Sequence, residues 1–214
     1  DTTGQRNLTI SGELDAATLD ISGNADIDGT MEADAYTIGG AAFIKVEGTD
    51  FDDCLLIGHS TTGTLSSATD NTGVGIEALD ALTSGYNNTA VGFQAGSKIN
   101  SGGSNTIVGR QAGDEITTGG NNTAVGTAAL GTSSTTSNNT AFGANALKLA
   151  TGANNVGIGK DAGDSVAAGI SNLCLGTDAG QNITSGSGNI VIGTVDVGSA
   201  TGDHQLKIAG YNGS

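Results

Sequence analysis

The chain has 214 residues, 37 of them Gly, with no Pro or Trp and an aromatic share of only 3%. Apolar burial contributes roughly 25 cal/mol per Å² and large aromatic side chains supply much of it, so this composition excludes an ordinary globular enzyme core and suits thin layers of Val, Ile, Leu and Ala. A net charge of −15 with seven scattered Lys and Arg excludes the basic footprint of a nucleic-acid binder and disfavours anionic membrane surfaces, and no apolar run is long enough to insert in a bilayer.

Residues 1–40 read as an acidic, β-rich shaft module. Residues 1–53 hold twelve of the 22 acids against Arg6 and Lys45. Within this stretch Leu8-Thr9-Ile10-Ser11-Gly12, Leu19-Asp20-Ile21-Ser22-Gly23 and Ala25-Asp26-Ile27-Asp28-Gly29 alternate apolar and polar residues and end in Gly. That pattern predicts short strands turning at each Gly. One such chain has too little apolar surface to stand alone. Three chains about one axis, with Leu, Ile and Met31 inward and Asp outward, solve the burial problem as a triple-stranded β-fibre. Residues 41–66, with Phe43, Ile44, Val46, Phe51, Leu55, Leu56 and Ile57, form the most core-like stretch and read as a connector.

Residues 67–203 carry an array. Asn71, Asn88, Asn105, Asn122, Asn139, Asn155, Asn172 and Asn189 are each followed four residues later by Gly, namely Gly75, Gly92, Gly109, Gly126, Gly143, Gly159, Gly176 and Gly193. The spacing is 17 residues six times and 16 once. Each unit is too short to bury a core of its own, so about eight turns must stack as a repeat solenoid. Counting each Asn as zero, position one is Thr72, Thr89, Thr106, Thr123 and Thr140, then Val156, Leu173 and Ile190. Position three is Val74, Val91, Val108, Val125, Phe142, Ile158, Leu175 and Ile192. Alternation with β-branched residues reads as a short strand with one face buried. Gly at position four suits a corner with positive φ or close backbone approach.

Ala recurs at position seven, from Ala78 to Ala179, and position eleven is mostly apolar, from Leu82 to Ile183. A second short strand is expected there. Positions three, seven and eleven also fit helical spacing, as in Ile76-Glu77-Ala78-Leu79-Asp80-Ala81-Leu82, although Gly in mid-unit makes a helix costly by about 1 kcal/mol relative to Ala. The Asn column predicts amides hydrogen-bonded along the stacking axis. Five consecutive Thr at position one also fit a hydroxyl array of the ice-binding kind. Abundant Gly, Ser, Thr and Asn fit disorder, against which the strict apolar columns argue.

Residues 204–214 close with Gln205-Leu206-Lys207-Ile208-Ala209-Gly210, which reads as one more strand before an abrupt end at Ser214, and more sequence is expected beyond it. The opening Asp1 in place of Met is consistent with a missing upstream segment.

Asn88-Thr89-Ala90-Val91-Gly92-Phe93-Gln94-Ala95-Gly96 and Asn122-Thr123-Ala124-Val125-Gly126 resemble the repeats of phage tail fibres, and also the β-roll head repeats of trimeric autotransporter adhesins. The phrase from Ile21 to Gly29 is similar to the shaft-proximal part of tail fibres. The resemblance spans about residues 7–40 and 71–210 and implies an all-β parallel β-solenoid or β-roll, intertwined or packed as a homotrimer. It implies a structural protein of the virion whose partners are its own copies, other tail or fibre proteins and a host surface glycan or protein, often followed by a self-cleaving chaperone domain. Adhesin heads use shorter turns than this period. The adhesin alternative places the chain on a bacterial cell surface.

Chemistry-bearing motifs are sparse. Cys54 and Cys174 lie in different segments without a CxxC partner and read as small buried residues. His59 and His204 stand alone, and Asp50, Asp52 and Asp53 lack a calcium-loop pattern. No metal, cofactor or catalytic residue is expected. A glycan-hydrolysing tailspike is the enzyme-class alternative, with Asp114, Glu115 and Asp161 as carboxylates that would have to meet across subunits. Residues 131–138 vary most between units and are the first expectation for receptor contact.

Overall fold

The computed structural model describes residues 36–38, 41–46, 51–52, 55–57 and 66–209. The strands expected before Tyr36, and Cys54, His59, Asp50 and Asp53, lie outside the described residues.

Fourteen strands appear in this part of the chain: β1 (Tyr36–Ile38), β2 (Ala41–Val46), β3 (Phe51–Asp52), β4 (Leu55–Ile57), β5 (Ala68–Thr69), β6 (Thr72–Val74), β7 (Thr89–Val91), β8 (Thr106–Val108), β9 (Thr123–Val125), β10 (Thr140–Phe142), β11 (Val156–Ile158), β12 (Leu173–Leu175), β13 (Ile190–Ile192) and β14 (Leu206–Ile208). β1 pairs antiparallel with β2, and β2 with β4. From β4 the sheet runs parallel through β6 to β14, each strand bonded to the next. The architecture is an all-β parallel solenoid of about nine turns. The expected connector, 41–66, supplies β4, the first parallel strand. The sequence count of eight grows because β4 leads the array and β14 follows it.

Register is one strict repeat. Thr72 faces Thr89, Thr89 faces Thr106 and Thr106 faces Thr123. Only Thr140 against Val156 and Ile190 against Leu206 are 16 apart.

The second strand expected in each turn is not formed, and neither is a helix. Residues in the left-handed region interrupt the chain at position six, as in Glu77, Gln94, Gln111 and Ala128, and again at position eight, as in Leu79, Leu130 and Leu147. These are compatible neither with an extended strand nor with a helix. Instead the chain makes two tight turns, with Ala78 N–H donating to Gly75 C=O and Leu82 N–H to Leu79 C=O. The wall opposite the sheet is nevertheless bonded from turn to turn: Leu79 N–H donates to Ala95 C=O, Ala81 N–H to Ser97 C=O and Thr83 N–H to Asn100 C=O. Backbone groups in this wall thus find partners without a strand.

The core is a thin column between the sheet and the turn wall. Position two points inward, so Ala90, Ile107, Ala124, Ala141, Cys174 and Val191 are fully buried, as are the Ala column at position seven and Leu82, Ile99, Ile116, Val166 and Ile183 at position eleven. Position eight completes it, alternating between Leu79, Leu130 or Leu147 and Gly96, Gly113, Gly163 or Gly180. Volumes compensate across turns. A Cβ at Gly157 would lie 2.8 Å from Leu147 Cγ, and one at Gly113 would lie 2.9 Å from both Ile107 Cδ1 and Ile116 Cδ1. Leu147→Ala is therefore expected to lower stability by about 3 kcal/mol, since the glycine-lined neighbours cannot fill the space. Urea denaturation at fixed chain concentration checks this; a loss below about 1 kcal/mol would show that the column collapses freely.

Candidate functional site

Two structural columns and one outer face are the features that carry this molecule. The Asn column is buried throughout, with at most 1% of each residue exposed. Asn88 donates its backbone N–H and its Nδ2 to Asn71 Oδ1, at 3.0 and 2.9 Å, and its Nδ2 also donates to Gly102 C=O at 2.9 Å. Asn105 repeats this on Asn88, and Asn122 on Asn105. Each amide thereby ties the start of a strand, the preceding turn and the corner that closes its own turn. Asn is the residue for this place because its one side chain offers an acceptor with two lone pairs and two donors.

The side-chain rung is missing at two successive steps. Asn139 still donates its backbone N–H to Asn122 Oδ1, but its Nδ2 turns to Thr136 Oγ1 at 3.3 Å. Thr136 stands where Gly85, Gly102 and Gly119 close the other turns, and its hydroxyl pairs with that of buried Ser133. Asn155 also reaches Asn139 Oδ1 only through its backbone N–H, its Nδ2 donating to Gly169 C=O. The rung resumes between Asn172 and Asn155 and between Asn189 and Asn172. Gln205 then takes the Asn place, donating its N–H to Asn189 Oδ1 at 2.8 Å.

The Gly column at position four has φ between 129 and 140° from Gly75 to Gly176, and 99° at Gly193. Neighbouring turns approach so closely there that a Cβ on Gly92 would sit 2.7 Å from Gly109 O. A second close-approach column, unremarked as a column in the sequence, lies at Gly102, Gly119, Gly169 and Gly186, where a Cβ would fall 2.2 to 2.4 Å from the next turn's carbonyl oxygen.

Positions one and three point away from the core, so the strongest apolar column of the repeat faces outward. Val91, Val108, Phe142, Ile158 and Leu175 are exposed, and Leu206 and Ile208 are 66% and 65% exposed. The five Thr hydroxyls form an outward row that gives way to Val156, Leu173, Ile190 and Leu206.

Charged groups are placed beside this face or on the turn wall. Lys98 Nζ meets Glu115 Oε1 at 2.5 Å. Burial, reinforced by Glu115, raises the pKa of Asp114. Asp161 is held below the usual carboxylate range by hydrogen bonds from Lys160 and Asn145, and the same pairing raises Lys160. A polar ladder runs along position six, where Gln94 Nε2 donates to Glu77 Oε2 and Gln111 Nε2 to Gln94 Oε1. The variable segment 131–138 exposes Thr132, Ser134, Thr135 and Asn138. His204 lies against Gly188, within 3.0 Å of where a Cβ would be. Among the described residues no group of three or more His, Cys, Asp or Glu could hold a metal ion, no buried side-chain nitrogen or oxygen lacks a hydrogen-bond partner, and no helix is long and apolar enough to cross a membrane.

Cys174 is buried at position two of β12 with its thiol free, and burial pushes its pKa up to about 12 from an ordinary 9.0. A thiol whose folded pKa is raised contributes stability below the unfolded value, and loses it as pH climbs from 9.0 toward about 12. The folded protein is expected to leave Cys174 unmodified by iodoacetamide at about pH 8, with labelling only in denaturant, read as modified peptide by mass spectrometry. Labelling of the native chain at the denatured rate would contradict this packing.

Comparison with protein-family models, with curated proteins and with solved structures finds no match to this chain.

Proposed function

We propose that the chain is a structural segment of a phage tail fibre, assembled as a homotrimer, that supports or mediates attachment to the host cell surface and has no catalytic role. The observation that supports this reading is the continuity of the stack: hydrogen bonds tie each repeat turn to its neighbours around its circumference, and the buried Asn column links one turn to the next. Nine turns at about 4.8 Å give a rod on the order of 40 Å long. Its sides carry polar ladders and its core is thin, which suits a stiff spacer better than a catalytic cleft. The repeat phrases from Asn88 and Asn122 supply the phage affinity, and that part of the reading rests on resemblance.

Gold-labelled antibody against the chain is expected to decorate the tails of virions from the source culture. Decoration of washed, phage-free cells instead would reassign the chain to a bacterial adhesin head. Release of reducing sugar from host glycans would reassign it to a tailspike.

A further inference from the structure

We infer that the outer face of the parallel sheet is the surface on which further copies of this chain seat, in parallel and in register, with the strip meeting at a common axis. This rests on the assembly of copies proposed above and names the surface that performs it.

The face consists of positions one and three of β4 and of β6 to β14. None of these residues is charged: five are Thr and the others are Val, Leu, Ile or Phe. In a chain of net charge −15, identical copies repel wherever their acids face each other, so a strip free of charge along its whole length is where they can approach. Polar groups border it along one side and much of the other. Position five is mixed, with exposed Ile76 and Phe93 in the first turns and Arg110 and Lys160 further on, and position six brings Glu77, while the residues just before the Asn column, such as Asn87, Ser104 and Asn121, are exposed and polar. Apolar centre and polar rim are the anatomy of a protein interface.

Periodicity selects the partner. The strands place a ridge of side chains about every 4.8 Å for on the order of 43 Å. A second copy carries ridges with that same spacing and can interlock along the full length, whereas a surface without the repeat can match only locally. At about 10 Å wide the strip offers on the order of 430 Å² in projection, a continuous patch beyond scattered surface apolar residues. A narrow strip of this shape is suited to convergence on an axis, where each copy touches two others. Apolar density is greatest from β11 to β14, where position one also becomes Val156, Leu173, Ile190 and Leu206.

The test uses two variants. The double substitution Ile158→Asp and Leu175→Asp puts charges on outward side chains that leave the core column untouched. It is expected to reduce the mass in light scattering from the assembly to about 20.8 kDa, with the β-type circular dichroism unchanged. Val108→Cys, on the face, is expected to be coupled into two-chain and three-chain species by a short bis-maleimide, while Thr118→Cys, exposed on the turn wall, is not. An assembly that survives the double charge, or Thr118→Cys coupling as well as Val108→Cys, overturns the assignment of the face while leaving the fibre reading intact. A wild-type protein of single-chain mass overturns both, and leaves the face to a different occupant.

Discussion

Asn105→Ala is expected to destabilise the solenoid by about 3–5 kcal/mol, among the largest effects available from one side chain. The substitution removes the acceptor that serves Asn122 N–H and Nδ2 at 3.0 and 3.1 Å, and the donor to Asn88 Oδ1 and Gly119 C=O, each at 3.0 Å. Both neighbouring amides are buried, so water cannot replace what is lost, and each orphaned buried group costs about 1–3 kcal/mol. Asn139→Ala supplies the internal comparison. That side chain makes two hydrogen bonds where Asn105 makes four. Its Nδ2 lacks the rung to Asn122 and donates to Thr136 Oγ1 at 3.3 Å, and its Oδ1 accepts only Asn155 N–H at 2.9 Å, so its loss is expected to be smaller by about 1–2 kcal/mol. Urea midpoints of the two variants at equal chain concentration decide the point, and equal effects would mean that the rungs contribute little beyond packing.

Gly126→Ala is expected to cost about 3 kcal/mol or more. The residue has φ of 133°, and a Cβ there would lie 2.5 Å from both the carbonyl carbon and the oxygen of Gly143 in the next turn. The obstacle is backbone, so no rotamer change relieves it. Separating the turns would stretch the bonds from Gly126 N–H to Val108 C=O and from Gly143 N–H to Val125 C=O, now 2.8 and 2.7 Å. Because neighbouring turns stabilise each other, the strain should open the array locally, and limited proteolysis is expected to cut near residues 126–143 first. Gly198→Ala, whose Cβ would have its nearest neighbour at 3.5 Å, should stay within about 0.5 kcal/mol of wild type. Similar behaviour of the two variants would contradict the close approach of the turns.

The repeat was legible because it is written in residue types with few substitutes. Asn at zero and Gly at four recur because each position is held by the turns above and below, and Gln205 shows how little variation the ladder admits even at its end. The strand at positions one to three was legible from its β-branched alternation. The other half of the turn was not, since Ala78, Leu79 and Leu82 have the spacing of a helix face and the flavour of a strand. What decides their conformation is positive φ at Glu77 and Leu79, and neither residue type announces a left-handed backbone. Position eight was hidden for a related reason: Leu79, Gly96, Gly113 and Leu130 look like no column until the volumes at positions two and eleven are set beside them. Outward placement of Val91 and Phe142 follows from the same geometry. Position two takes the core with mostly small residues, and the larger apolar residues of the strand at position three are left for the surface.

The most direct test of the trimeric solenoid fibre is the solution mass of the purified chain by multi-angle light scattering, with circular dichroism on the same sample. A mass near three times 20.8 kDa with a β-type spectrum is the predicted result. A folded species of 20.8 kDa would contradict it and leave a self-sufficient solenoid whose outer face serves another partner.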